Sequence, residues 1–229
     1  MIMVITEGLT KVFKAEGVET IALRGVSLKV DKGDFITVMG PSGCGKTTLL
    51  NLLGMIDEPS DGKYLFFGQD VYSMNERQKT ELRKRNIGFV FQNFNLIDDL
   101  TVYENIELPL VYLGWKRKER RERVEEVIGN MDLMHKKNLF PVQLSGGQQQ
   151  RVAVARAIIA KPSLLLADEP TGNLDSMHGE EVMNILGNLN KEGTTIIMVT
   201  HSQSDAAFSR KIVHLFDGQI INENISKVK

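Results

Sequence analysis

Apolar and polar positions along this chain of 229 residues follow two different periods, and together they predict a mixed α/β fold. In the first third, alternating or apolar patterns predict strands over 19–30 and 34–39, and the polar residues 31–34 form the turn between them. The second strand runs directly into a glycine-rich loop, and residues 46–53 then predict a helix. A strand, a loop and a helix in this order are the setting that a phosphate-binding loop needs.

The last third of the chain alternates between helical and apolar patterns. Helices are predicted over 146–160 and 177–191, and strands over 163–168 and 194–200. Near-continuous apolar strands separated by helices indicate a parallel sheet that is buried on both faces. The segment 211–222 has an Asp-Gly pair between two apolar runs, which predicts a hairpin.

The middle of the chain, about 73–140, has highly charged helical stretches. The run 116–123 mixes basic residues and glutamates at spacings of three and four, which suits a solvent-exposed helix face. A nucleic-acid-binding patch is the alternative interpretation. Acidic residues interrupt the run, and the net charge of the chain is −1, so no nucleic-acid partner is expected.

Composition limits the class of protein further. No apolar run approaches the roughly 20 residues that cross a bilayer, and the N-terminus lacks the layout of a signal peptide. The single cysteine, Cys44, excludes an intramolecular disulfide. These features fit a cytoplasmic protein, and they are compatible with docking on a membrane protein.

The glycine-rich loop carries the chemistry of triphosphate binding, because its spacing is Gly, four residues, then Gly-Lys-Thr. The glycines let backbone N–H groups converge on phosphate oxygens, and the following helix directs its positive end to the same place. Lys46 is expected to reach the β- and γ-phosphates, and the Thr47 hydroxyl to ligate Mg²⁺. The nucleotide-binding residues predicted in this segment are Gly40, Pro41, Ser42, Gly43, Cys44, Gly45, Lys46, Thr47 and Thr48.

Two consecutive acids follow the apolar strand that ends near residue 167. Asp168 lies where ligands bind in parallel sheets, and it is expected to hold Mg²⁺ through water. Glu169 is the candidate for polarising the attacking water, as a base or as an orienting group. The alternative interpretation is that Glu169 is only a solvated acid at the end of a strand.

Further motifs stand at set distances from these residues. The first is Leu144-Ser145-Gly146-Gly147-Gln148, which opens the helix predicted at 146. The second is the segment 164–170, an apolar run that ends in the two acids and a proline. With the loop at 40–47, they resemble the nucleotide-binding subunit of an ATP-binding-cassette (ABC) transporter over essentially the whole chain. Single residues extend the resemblance. They are Phe13, which matches the aromatic that stacks on adenine, Gln92, which matches the Q-loop glutamine, Asp175, which matches the D-loop aspartate, and His201, which matches the switch histidine.

The resemblance implies a fold and a division of the chain. The expected fold class is α/β, a P-loop NTPase core whose parallel sheet is flanked by helices, with an N-terminal antiparallel β subdomain and a helical subdomain. The helical subdomain holds the stretch Leu144–Gln148, called the signature motif below. The whole chain, 1–229, is expected to form one ATPase domain. Residues 1–90 and 160–229 are assigned to the core and the antiparallel subdomain, and 91–159 to the helical subdomain.

The resemblance also implies the roles of the site residues in an ATP hydrolase. The expected catalytic residues are Glu169, His201, Lys46 and Gln92, and the expected Mg²⁺ ligands are Thr47, Gln92 and Asp168. ATP binding implies a head-to-tail homodimer, in which the signature motif of one subunit contacts the γ-phosphate that the other subunit's Lys46 holds. The further residues expected to contact nucleotide are Phe13, Ser145, Gly146, Gly147, Gln148 and Asp175.

Two longer stretches narrow the resemblance to a group within the family. The segments 94–110 and 145–153 resemble the lipoprotein-release and macrolide-export ATPases, which drive an integral membrane permease subunit that transmits force. Such a subunit is cytoplasmic and bound to the inner face of the cell membrane through its partner. A cell-division regulatory ATPase, a peptide-antibiotic-resistance ATPase and a solute-importer ATPase remain alternatives.

Cys44 departs from the family pattern, in which serine is commoner at this position. Its backbone N–H is expected to serve the phosphates, so nucleotide binding does not need the serine hydroxyl. A thiol near Lys46 and a helix N-terminus is expected to be reactive, so that alkylation blocks ATP binding and ATP protects the thiol.

Overall fold

The computed structural model describes residues 1–15 and 18–225. The strands in these ranges are β1 (Ile2–Ala15), β2 (Val18–Asp31), β3 (Phe35–Met39), β4 (Asp61–Phe66), β5 (Gln69–Asp70), β6 (Ile87–Val90), β7 (Leu164–Asp168), β8 (Thr195–Thr200), β9 (Lys211–Phe216) and β10 (Gln219–Ile225). The α-helices are α1 (Lys46–Leu53), α2 (Glu76–Asn86), α3 (Val102–Tyr112), α4 (Arg117–Asn130), α5 (Gly146–Ile158), α6 (Ser176–Lys191) and α7 (Gln203–Ala206). Short 3₁₀ helices are Val71–Ser73, Met134–Lys136 and Pro141–Gln143.

The strands form two sheets. The larger sheet has six strands in the order β10-β9-β3-β8-β7-β6, and all its neighbours pair in parallel except β9 with β10. The smaller sheet is antiparallel and has the order β2-β1-β4-β5. The expected α/β fold, with a parallel sheet and an N-terminal antiparallel part, is confirmed.

The central strands of the larger sheet are buried on both faces, and alternate residues serve different cores. Leu164 and Leu166 of β7 belong to the core that includes α1 and the antiparallel sheet. Leu165 and Ala167 belong to the core that includes α3, α4, α5 and α6. Since successive side chains of a strand point to opposite faces, an unbroken apolar run is what this two-sided burial requires.

The strands and helices predicted in the first and last thirds are confirmed, with ends that shift by one or two residues. The structure also shows the hairpin of β9 and β10 at the Asp-Gly turn, and α5 ends at Ile158 rather than at 160. The long strand β1 and the strand β4 were not predicted, because their sequences mix aliphatic and polar residues with a glycine and show no clean alternation.

The middle segment contains a strand besides its charged helices. Charged helices do occupy much of it, as α2 and α4. However, Ile87–Val90 lies inside the 73–140 range and forms β6, the edge strand of the parallel sheet. The lack of a side chain at Gly88 lets β6 pack closely against α5, because a Cβ at this position would lie 2.4 Å from the Ala157 carbonyl oxygen of α5. In residues 1–15 and 18–225, no helix combines the length and apolarity that crossing a membrane requires.

We expect Leu166→Ala to lower the free energy of unfolding by about 2–5 kcal/mol, the usual cost of a cavity at a fully buried leucine. The side chain is completely inaccessible to solvent. Urea unfolding followed by circular dichroism measures the effect. Ile221→Ala is the matched control, because Ile221 is 64% exposed and should change stability by less than about 0.5 kcal/mol. Equal effects of the two substitutions would contradict the two-sided core.

Candidate functional site

The ends of three neighbouring strands meet at one edge of the parallel sheet. In the parallel register, Met39 of β3 lies beside Thr200 of β8, and Asp168 of β7 lies beside Val199. Gly40 and His201 come directly after Met39 and Thr200. The glycine-rich loop, the two acids and the histidine therefore converge at the carboxyl edge of the sheet, where parallel α/β folds bind ligands.

The glycine-rich loop wraps around a lysine ammonium. Lys46 is 6% exposed, and its Nζ donates to the carbonyl oxygens of Gly40 at 2.8 Å and Pro41 at 2.9 Å. Gly43 and Gly45 have φ angles of 80° and 103°, which favour glycine. The buried cation and the N-terminal end of α1 make this edge attractive to phosphate. The loop places together the predicted residues Gly40, Pro41, Ser42, Gly43, Cys44 and Gly45, followed by Lys46, Thr47 and Thr48 in the first turn of α1.

Close packing also fixes the loop from behind. A Cβ on Gly45 would lie 2.4 Å from the Ala22 carbonyl oxygen of β2, and one on Gly40 would lie 2.1 Å from the Leu215 carbonyl oxygen of β9. A side chain at either position would therefore displace the backbone of a neighbouring strand. The antiparallel sheet and the hairpin thus hold the loop in place.

Thr47 and Asp168 bring two oxygen groups together. The Thr47 hydroxyl donates to Asp168 Oδ1 at 3.3 Å. Burial raises the pKa of the Asp168 carboxyl above its usual range, and the Thr47 hydrogen bond opposes this rise. A hydroxyl and a carboxylate beside a phosphate site are the hard oxygen ligands that Mg²⁺ prefers, so these residues fit the expected metal.

Glu169 and His201 form a pair at the same edge. His201 Nδ1 lies 3.1 Å from Glu169 Oε2, within the distance of an ion pair. Glu169 has a φ angle of 42°, and its N–H donates to the Val199 carbonyl oxygen at 2.9 Å. The strained backbone turns the chain sharply after β7 and directs the carboxylate toward the histidine.

Gln92 lies against the segment that follows Glu169, and it makes no hydrogen bond to Thr47 or Asp168 in the described residues. Its Nε2 is 3.5 Å from Asn173 Oδ1, and the Asn173 amide donates to the Gln92 carbonyl oxygen at 2.9 Å. A Cβ on Gly172 would lie 2.7 Å from Gln92 Nε2. Gln92 is thus held by the loop after β7, while its expected role at Mg²⁺ remains a prediction.

The signature motif lies beside the predicted Asp175. Ser145 caps α5, with its Oγ accepting from the Gln148 N–H at 3.4 Å and its own N–H donating to Gln148 Oε1 at 3.1 Å. A Cβ on Gly146 would meet Leu174, and one on Gly147 would meet His178. In residues 1–15 and 18–225, no hydrogen bond or ion pair joins 145–148 to the loop at 40–48.

Phe13 presents an aromatic ring on β1 that is 46% exposed. Lys11 Nζ lies 5.0 Å from the ring centroid. Phe13 pairs with Thr20 of β2, two residues from Ala22, the point where β2 approaches the loop at Gly45. An exposed ring on this side of the loop is compatible with stacking on a base, which remains a prediction.

Two residues near the site escaped sequence reasoning. Asn173 holds Gln92, and His178 contacts both Asp175 and Gly147. The available signal for His178 was its spacing, since the third helical residue after an aspartate cap lies next to the cap. Asn173 gave no such signal, because its contact is distant in sequence.

Comparisons with known proteins agree with this geometry. A family model described as ABC transporter matches residues 23–172. An uncharacterized ABC transporter ATP-binding protein of Methanocaldococcus jannaschii is 45% identical over 96% of this chain and 98% of its own length. The macrolide export ATP-binding/permease protein MacB of Syntrophobacter fumaroxidans is 49% identical over 95% of this chain, which spans only 31% of that protein. The dimeric, post-hydrolysis structure of the ATP-binding cassette MJ0796 bound to ADP and Pi is 40% identical, covers 99% of both chains and has a TM-score of 0.91.

The structure changes the expectation for the Cys44 thiol. Cys44 is only 4% exposed and belongs to the core under the loop, while its N–H lies 3.3 Å from the Pro41 carbonyl oxygen. A thiol that reagents cannot reach does not react readily, whatever its electrostatic surroundings. The expected ready alkylation is therefore wrong for the folded protein.

We expect iodoacetamide to modify Cys44 at least about a hundredfold more slowly in the native protein than in urea, because reaction requires local opening of the loop. Mass spectrometry of the intact protein over time measures both rates. Comparable rates under the two conditions would contradict the burial of this thiol.

Proposed function

The chain belongs to the ABC transporter family, and we propose that it is the ATPase subunit of a force-transmitting exporter of the lipoprotein-release and macrolide-export group. The convergence of Lys46, Asp168, Glu169 and His201 at one sheet edge is the observation that carries the ATPase part of this proposal. The similarity to MacB supports the group. ATP is the substrate of the family, and its hydrolysis gives ADP and phosphate.

In this proposal, the loop 40–45 and the first turn of α1 bind the triphosphate. The backbone N–H groups of the loop and the N-terminal end of α1 surround the phosphate oxygens. Lys46 exchanges its two carbonyl partners for β- and γ-phosphate oxygens, which are stronger acceptors because they are charged. Thr47 and Asp168, with Gln92 once it moves toward them, would hold Mg²⁺, which supplies positive charge to the phosphates when it is bound.

Glu169 and His201 then act on the attacking water. The Glu169 carboxylate accepts a proton from the water. The water oxygen attacks the γ-phosphorus as the bond to the ADP oxygen breaks, and inorganic phosphate leaves. The His201 ring lies 3.1 Å from this carboxylate and would contact the γ-phosphate from the same edge of the sheet.

A complete site requires two subunits. Ser145, Gly146, Gly147 and Gln148 make no hydrogen bond to the loop of their own chain in the described residues, although Ser145 is exposed and the four residues open α5, whose first N–H groups have no partner within the helix. We place them, with Asp175, against the γ-phosphate held by a second copy. The dimeric solved relatives support this arrangement. A two-fold dimer then contains two equivalent sites, and ATP binding stabilises it by mass action.

The partner that receives the force is an integral membrane permease subunit. MacB carries an ATP-binding part and a permease part in one protein, and this chain matches the ATP-binding third. In the proposed complex, the chain lies on the cytoplasmic side and is held at the inner face of the cell membrane by the permease. Closing and opening of the ATP-dependent dimer is the motion that the permease would transmit.

We expect Glu169→Gln to lower kcat for ATP hydrolysis by at least about a hundredfold, because the amide cannot accept the proton of the water. ATP binding should persist, so the variant should elute as a dimer from size exclusion in Mg-ATP and as a monomer in ADP. Wild-type protein and Lys46→Ala, which should lose ATP binding, are the controls. A monomeric Glu169→Gln protein in saturating Mg-ATP would contradict the two-subunit site.

Complementation tests whether each site is shared. Ser145→Asp keeps a capping side chain on α5 but places a negative charge beside the γ-phosphate of the partner subunit, so it should be inactive. We expect a mixture of Ser145→Asp and Lys46→Ala proteins to recover ATPase activity, because a mixed dimer has one intact site.

Ser145→Asn is the matched control, since it caps α5 without adding charge and should retain more activity than Ser145→Asp. ATP turnover is measured for each variant alone and for the mixture. A mixture as inactive as its two components, with mixed dimers demonstrated by differently tagged subunits, would exclude a shared site.

A further inference from the structure

His178 lies between two parts of the proposed shared site. It is in the first turn of α6, three residues after the Asp175 cap. Its backbone N–H donates to Asp175 Oδ1 at 3.0 Å, and its ring Nδ1 lies 2.7 Å from Asp175 Oδ2. One residue therefore engages both carboxylate oxygens of Asp175.

The direction of the hydrogen bond between the two side chains follows from the ionisation of Asp175. Hydrogen bonds from the His178 backbone and ring lower the pKa of the Asp175 carboxyl below its usual range. Asp175 is thus ionised near neutral pH and only accepts. The ring must then carry a proton on Nδ1, so the contact is a hydrogen bond to a charged group, which is stronger and shorter than a neutral one.

The carbon side of the same ring packs on the signature motif. A Cβ on Gly147 would lie 2.6 Å from His178 Cδ2, 2.9 Å from Cγ and 3.0 Å from the histidine Cβ. Gly147 is buried, and it is the second residue of α5. Any side chain here would collide with the imidazole, so the lack of a side chain at Gly147 is what lets the ring lie against the start of α5.

The ring consequently links Asp175 to the start of α5 within one subunit. Asp175 remains exposed, with 64% of its side chain accessible, while the His178 side chain is 31% exposed. A half-buried ring held on one side by a carboxylate and on the other by a backbone has little freedom to rotate. A displacement of α5 would therefore move the Asp175 carboxylate, and the reverse also holds.

We propose that His178 is a positioning residue that holds Asp175 and the Ser145–Gly147 turn in one arrangement, so that both meet the second subunit together. This inference rests on the two-subunit site proposed above. In the described residues, His178 makes no hydrogen bond to the loop at 40–48; it acts through Asp175 and Gly147. Loss of the hydrogen bond should impair hydrolysis and dimer formation without weakening ATP binding to the isolated subunit.

Three substitutions separate the hydrogen bond from the packing. His178→Asn keeps a donor near the position of Nδ1, His178→Leu keeps bulk against Gly147 without a donor, and His135→Ala removes an exposed histidine elsewhere. We expect kcat to fall about ten- to a hundredfold for His178→Leu, as for the loss of one hydrogen bond to a charged group, and to recover to within about twofold of wild type for His178→Asn. His135→Ala should match wild type.

Two further readouts distinguish positioning from a general loss of stability. Binding of a fluorescent ATP analogue to monomeric protein should change by less than about twofold in His178→Leu, since the loop and His178 are independent sites. In an Asp175→Ala background, His178→Leu should cause little further loss of kcat, because its effect passes through Asp175. Thermal unfolding of each variant checks that it is folded.

Several outcomes overturn the inference. These are wild-type kcat in His178→Leu, equal impairment of the Asn and Leu variants, or full additivity with Asp175→Ala. Size exclusion of Glu169→Gln in Mg-ATP, with and without His178→Leu, separates the two proposals. If Glu169→Gln alone stays monomeric, the shared site is wrong; if it dimerises and His178→Leu does not weaken the dimer, only the role of His178 is wrong.

Discussion

Parallel pairing of β3, β8 and β7 is the constraint on which the site depends. In-register parallel strands end at one level, so the residues after Met39, Thr200 and Ala167 become neighbours although they are far apart in sequence. This pairing is stable only if both faces of the sheet are covered, because the strand side chains are apolar on both sides. The two cores on opposite faces of β7 and β8 are therefore a condition for the chemistry at their ends.

Charge is concentrated at this edge in a way that suits a polyanionic substrate. Lys46 is nearly buried and shares its charge with backbone carbonyls rather than with a carboxylate. Asp168 and Glu169 are adjacent, and the Glu169 charge adds to the effect of burial in raising the pKa of Asp168. The two acids thus contact different partners. Asp168 faces Thr47 and the phosphate loop, while Glu169 faces His201.

The elements that could be predicted from the sequence are those whose pattern depends only on residues close together in the chain. The apolar runs of β7 and β8 and the glycine spacing at 40–45 each follow from local geometry, so the fold class and the sheet edge could be inferred. Contacts between segments that are distant in sequence could not be inferred. β6 has an ordinary apolar pattern, and its place depends on α5 approaching Gly88. The contact of Gln92 with Asn173 and the burial of Cys44 likewise arise from packing between segments that are distant in sequence.

The loop from Glu169 to Asp175 joins the halves of the proposed shared site. Glu169 lies beside His201, Pro170 accepts a hydrogen bond from Gln150 of α5, and Asn173 holds Gln92. Asp175 then caps α6 and binds His178, which packs on Gly147. A few consecutive residues therefore contact the catalytic pair, the glutamine that leads into the helical segment, and the signature motif. Because each of these contacts is with a different element, the loop cannot shift at Glu169 without disturbing the others. In the proposed shared site, a change at the γ-phosphate would thus have a direct physical route to the residues proposed to face the second subunit.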